Sequence, residues 1–148
     1  MTGWLWAAVA AVAGVVLIRW ARRRWFVAVV SGLSMAPAFR DGQRVLCRRA
    51  GKIRRGGVVV VEHPGRAGPR ALGPGHLVKR VAAIPGDPVP RAGLPALADR
   101  PEDRVPAGML VLLGDAKGSI DSAELGYFPV GRVVGVVTTR PVQQLTAE

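Results

Sequence analysis

Apolar positions fall along this chain in two distinct ways. From Thr2 to Ile18 they are continuous and uncharged. As a helix this run would be about 26 Å long at ~1.5 Å per residue, close to a bilayer core of ~30 Å. Trp4 and Trp6 flank one end and Trp20 and Trp25 the other, as in interfacial aromatic belts. Arg19, Arg22, Arg23 and Arg24 then stop the run. No basic residue precedes it, which disfavours a cleaved leader, and it has no polar face, which disfavours a core helix. The pattern predicts a single-pass N-terminal transmembrane helix with a basic flank over residues 1–24.

Beyond Arg24 the apolar positions come in short bursts separated by turn residues, the texture of strands. Strands are expected at Phe26–Val30, Gln43–Arg49, Gly57–Glu62, His76–Ile84, Met109–Leu113 and Arg132–Thr139. Val58-Val59-Val60-Val61 reads as a fully buried strand. His63–Gly75 and Pro85–Gly108 are rich in Pro and are expected to be loops, the second extended and with little structure of its own. Gly114–Gly126 reads as a turn-rich connection. The expected organisation is a mainly β domain over 25–140 and a tail over 141–148. With 19 Gly, 12 Pro and few aromatics, the composition favours many short strands over a helix bundle.

Charge narrows the choice of partner. The net charge of +11 calls for an anionic surface. No zinc spacing, helix-turn-helix or aromatic-interleaved RNA motif accompanies it, so the expectation is an anionic lipid bilayer and no nucleic acid. Cys47 is the only cysteine, which excludes an internal disulfide. In its strand-like setting it reads as a small buried apolar residue, not a reactive thiol. No metal or cofactor is implied.

The chain holds four serines (Ser31, Ser34, Ser119, Ser122) and three lysines (Lys52, Lys79, Lys117). Ser34 lies in Ser31-Gly32-Leu33-Ser34-Met35-Ala36-Pro37, a turn after a strand, where N–H groups can face an oxyanion. A serine in a turn is also ordinary turn chemistry. In the strand from His76, Leu77, Lys79 and Val81 share a face. If that face is the core, Lys79 is desolvated, its pKa falls and it becomes a usable base. The alternative is that its stem snorkels to water. His63 and His76 are competing bases, but no Asp is singled out to complete a triad.

Taken in order, four segments resemble the signal peptidase I family of bacterial type. The Ser34 turn resembles its Ser-Met-x-Pro box. Asp41-Gly42 and Arg55–Val60 resemble the strands that follow. Lys79-Arg80-Val81-Ala82-Ala83-Ile84-Pro85-Gly86-Asp87 resembles the Lys-Arg box ending in Pro-Gly-Asp. Gly114–Ser122 resembles the Gly-Asp-Asn…Ser-x-Asp-Ser box. The resemblance runs from the apolar run to about Val137.

That resemblance implies coiled antiparallel β-sheets and a Ser-Lys dyad cleaving signal or leader peptides after small residues at Ala-x-Ala-like sites. Ser34 would be the nucleophile and Lys79 the general base. Ser119 would orient Lys79, Asp121 and Arg80 would pair, and the Ser34 N–H would serve the oxyanion. Gly32 stands where some members carry a second donor hydroxyl. Partners would be membrane-bound precursor proteins or leader peptides. Ala116 replaces a usual Asn and Ala123 a usual Arg. The short 85–108 segment leaves no room for the large extra domain of some members. Alternatives are a dedicated maturation protease, a catalytically impaired peptide-binding relative, and a self-cleaving repressor, whose DNA-binding domain has no counterpart here. Processing of secreted precursors places the domain on the outer face, whereas the four arginines after the apolar run favour the cytoplasm.

Overall fold

The computed structural model describes residues 3–63 and 76–140. The expected loop over 64–75 and the tail over 141–148 lie outside the described residues. A 22-residue helix, α1 (Gly3–Arg24), leads directly into strand β1 (Trp25–Val29). Five longer strands follow: β2 (Arg44–Arg48), β3 (Val58–Glu62), β4 (His76–Ala83), β5 (Met109–Leu113) and β7 (Val133–Val137). Short α2 (Pro95–Ala98), α3 (Ser122–Leu125) and β6 (Phe128–Pro129) complete the chain. The strands form one sheet in the order β1-β2-β7-β3-β4-β5-β6, with every pairing antiparallel. The expected mainly β domain is observed, and each expected strand is present within a residue or two of its ends.

The four-valine run of β3 follows from its place in the sheet. Val58 and Val60 enter one core with Ala28, Val30, Met35, Phe39, Val45 and Cys47. Val59 and Val61 enter another with Val81, Leu110, Leu112 and Phe128. Successive strand residues face opposite sides, so a strand covered on both faces must be apolar at every position. Cys47 is fully buried, and burial pushes its thiol up to about 11, as an inert apolar side chain requires.

Two expectations are corrected. The 85–108 segment is ordered rather than extended. Val89, Leu94, Leu97 and Val105 pack with Ala83 of β4 and Val111 of β5 into a third core. Backbone bonds from Val89 N–H to Asp103 O (3.0 Å) and from Val105 N–H to Asp87 O (2.8 Å) fold the segment back on itself. Its prolines punctuate a small packed unit, not a loose strap. The second correction concerns the N-terminus. Among the described residues no helix is long and apolar enough to cross a membrane. The arginines expected to stop the apolar run are instead inside the helix, which continues to Arg24 with Arg22, Arg23 and Arg24 in its last turn. Its apolar side chains are nonetheless exposed around the helix, from Trp4 and Trp6 through Val9, Val12, Val15 and Val16 to Trp20.

Candidate active site

Ser34 stands in the loop between β1 and β2. The loop is closed at its base by Val30 N–H to Gln43 O (2.9 Å) and Gly42 N–H to Val30 O (2.8 Å). Gly32 adopts a positive φ of 84°, open without strain to glycine, and its N–H donates to Asp41 Oδ1 at 2.7 Å. Met35, Ala38 and Phe39 then plug the first core, while Ser34 stays half-buried. Three apolar anchors thus hold a turn whose hydroxyl remains reachable. Among the described residues no acceptor takes the Ser34 N–H.

Lys79 lies at the centre of β4, opposite Val59 of β3. Its side chain is 1 % exposed, and among the described residues its Nζ has no hydrogen-bond partner. Of the two readings of its strand face, burial is therefore the one realised. Desolvation lowers its pKa below the ordinary lysine value, with Asp121 and then Glu124 opposing that shift through their charge. His76, by contrast, pairs with Glu62 at the far end of the β3–β4 hairpin. It lies three residues from Lys79 on the opposite face, about 10 Å along the strand.

The loop after β5 brings the other groups together. Arg80 pairs with Leu113, so one residue further along the register Gly114 stands beside Lys79. Ala116 N–H donates to Ser34 O at 3.0 Å, tying this loop to the Ser34 turn. Asp121, 6 % exposed, accepts from Gly114 N–H (2.9 Å), Ser119 Oγ (2.6 Å) and Ala123 N–H (2.9 Å). Burial alone would raise its pKa; those donors and the Lys79 charge hold it below the usual carboxylate range. The bond from Ala123 N–H also makes Asp121 the N-cap of α3.

Two expected contacts are replaced by others. Asp121 does not pair with Arg80. The Arg80 guanidinium takes Asp115 in a two-pronged bond, Nε to Oδ1 at 2.7 Å and Nη2 to Oδ2 at 2.6 Å, and also reaches Gly56 O at 2.9 Å. Strand alternation is the reason. Lys79 and Arg80 leave β4 on opposite faces, so an aspartate beside Lys79 is out of Arg80's reach. Ser119 does not hydrogen-bond Lys79 either: the Lys79 Nζ has no partner among the described residues, and the Ser119 hydroxyl donates to Asp121. Asp121 thus holds Ser119 by a hydrogen bond and acts on Lys79 through its charge alone. Asp115, Gly114 and the Ala116 N–H are the groups that sequence reasoning passed over. The signal for Asp115 was present: it lies two residues beyond the end of the strand that pairs with Arg80.

The Arg80–Asp115 pair is one-third exposed on the arginine side, so its worth is screened. Asp115→Asn is expected to lower stability by about 1–2 kcal/mol and kcat/KM only modestly. Thermal unfolding together with peptide hydrolysis checks both. A loss of activity as large as that of a Lys79 variant would place Asp115 in the chemistry itself.

Comparison with known proteins adds one finding. The family model described as signal peptidase, peptidase S26, matches residues 1–95, more than half of the chain. The match takes in the Ser34 turn and Lys79, and Ser119 and Asp121 fall beyond it. No curated protein matches the chain.

Proposed function

Because the chain belongs to the signal peptidase family, peptidase S26, we propose that it is a membrane-attached serine endopeptidase in which Ser34 is the nucleophile and Lys79 the general base. It removes signal or leader peptides after small residues, at Ala-x-Ala-like sites. The observation that carries this reading is Lys79: a lysine side chain buried to 1 % exposure, with an Nζ that no described residue satisfies, next to the loop tied to Ser34. A permanently charged group would not be stable there, and a lysine that can shed its proton is.

In this mechanism neutral Lys79 takes the proton of the Ser34 hydroxyl as Oγ attacks the scissile carbonyl carbon. The Ser34 N–H stabilises the oxyanion. The Lys79 ammonium then returns the proton to the departing amine, leaving an acyl ester on Ser34. Water, deprotonated by Lys79, hydrolyses that ester and releases the new carboxylate. Asp121 supports the transient ammonium and fixes Ser119 at the edge of the site. Attachment to the bilayer is through α1, whose exposed apolar side chains and terminal arginines suit a membrane and its headgroups. The protease domain lies on the outer face, where secreted precursors emerge.

The test is direct. Full-length protein reconstituted in lipid and given a membrane-bound precursor with an Ala-x-Ala site is expected to cleave after the second alanine. Substituting that alanine by a bulky residue abolishes cleavage. A folded preparation that leaves every such precursor intact refutes the proposal. Protease added outside intact cells is expected to digest the β domain, and protection until lysis would put the domain in the cytoplasm.

A further inference from the structure

Large apolar side chains are exposed in three places among the described residues. Most line α1, and Val27, Val29 and Leu46 lie on β1 and β2. The others are Leu33, Ile120 and Leu125, and all three adjoin the site. Leu33 precedes Ser34, Ile120 stands between Ser119 and Asp121, and Leu125 closes the helix that Asp121 caps. None of them joins a core. A single exposed leucine is ordinary. Turn positions, however, favour Gly, Pro, Asn, Asp and Ser. Here two turns that meet carry Leu33 at 70 % and Ile120 at 49 % exposure.

Neither side chain hangs from a loose loop. The backbone around Leu33 is fixed on both sides, by Gly32 N–H to Asp41 Oδ1 (2.7 Å) and by Ala36 N–H to Leu33 O (3.0 Å). Ile120 is the middle residue of a closed unit, because Ser119 Oγ donates to Asp121 Oδ2 across it at 2.6 Å. The two turns also adjoin. Ser34 O and Ser119 Cβ lie 2.8 Å and 2.6 Å from the one point where a Cβ on Gly114 would stand. Leu33 and Ile120 are each one residue from that meeting point, so both stand at the rim of the Ser34 site.

Any peptide that acylates Ser34 brings its scissile carbonyl within bonding reach of Oγ. The residues next to that carbonyl then lie within one or two residue lengths of the rim, at ~3.3 Å each. In an extended peptide successive side chains face opposite sides. With the two alanines of an Ala-x-Ala site facing in, x and the residue directly after the cut face outward, toward the rim. Resting on the peptidase reading above, we infer that Leu33 and Ile120 are specificity residues that select precursors with a large apolar side chain at x or directly after the cut. An apolar side chain there takes the two exposed residues out of water, and a polar one leaves them wet. Because the rim is already fixed by its backbone bonds, covering it costs little ordering.

Peptide kinetics on the full chain in detergent test this. Short soluble peptides with one Ala-x-Ala site carry Leu or Ser at x, and Leu or Ser directly after the cut. The wild-type enzyme is expected to prefer Leu over Ser by about tenfold in kcat/KM, mainly through KM. Leu33→Ser and Ile120→Ser are each expected to lower that ratio at one of the two positions, and the double variant to bring it to about one at both. Leu46→Ser, which removes an exposed apolar side chain from β2, keeps the wild-type ratio and controls for uptake of apolar peptides by the detergent. Leu33→Lys is expected to prefer Glu over Lys at the position where Leu33→Ser acts. A wild-type ratio near one overturns the inference, and so does a ratio that the rim variants leave intact. A preference seen only in lipid vesicles assigns the rim to lipid contact and overturns it too. In each of these cases cleavage itself leaves the peptidase reading standing. A folded enzyme that cleaves none of the peptides overturns both.

Discussion

Lys79→Arg, Lys79→Met and Ser34→Ala each abolish cleavage, with an expected loss of at least about 10³-fold in kcat/KM. In the proposed mechanism each variant removes one end of the same proton transfer, so the losses do not add. The two lysine variants part company on stability. Met fills the apolar site without a charge, and Arg must keep its charge there. Lys79→Met is therefore expected to raise the melting temperature, and Lys79→Arg to lower it. Burial also depresses the pKa of Lys79 itself. The sign of the pH dependence follows from that depression. With Lys79 as the proposed base, activity needs the neutral amine, so the rate is expected to rise with pH through a midpoint below the ordinary lysine value. Between that midpoint and the ordinary value the unfolded chain binds the proton and the folded chain does not. Stability therefore rises with pH across the same window. Lys79→Met removes this rise. A flat rate profile, or an active Arg variant, would transfer the role of base to another group.

Gly114→Ala is expected to lower kcat/KM by about 10²-fold, mainly through kcat, because it moves Ser34, the proposed nucleophile, and its neighbours apart. A Cβ on Gly114 would lie 2.6 Å from Ser119 Cβ and 2.8 Å from Ser34 O, distances that real side chains do not tolerate. Ser34 O is the same atom that accepts the Ala116 N–H. The methyl therefore presses on the tie between the two loops and on the serine bonded to Asp121 at once. Relief by backbone movement costs about 1–3 kcal/mol. Gly131→Ala is the matching control, since nothing lies within 4 Å of its would-be Cβ. Steady-state kinetics and thermal unfolding of the two variants separate a site effect from a general glycine effect. Equal activities would show that the loops do not depend on this close approach.

The strands, the buried valine run of β3 and the candidate pair Ser34 and Lys79 were legible in the sequence. Each rests on local rules: period-two alternation, turn residues, and the rarity of Ser and Lys in an Arg-rich chain. Other features were decided only when distant segments met. Whether Lys79 was buried or snorkelled depended on what covered the Leu77–Val81 face, where Leu110, Leu112 and Phe128, from thirty and more residues away, pack with Leu77 and Val81. Arg80 chose Asp115 over Asp121 because β5 ends beside it, and the register of β4 on β5 is a tertiary fact. The 85–108 segment looked like a loop because its four buried apolar residues share no helical or strand period; their common partner is the β4–β5 surface. Local sequence thus determined which side chains could do chemistry. The pairing of strands far apart in the chain determined which of them are desolvated, which are bonded, and to whom, since burial and hydrogen bonding depend on neighbours that only folding supplies.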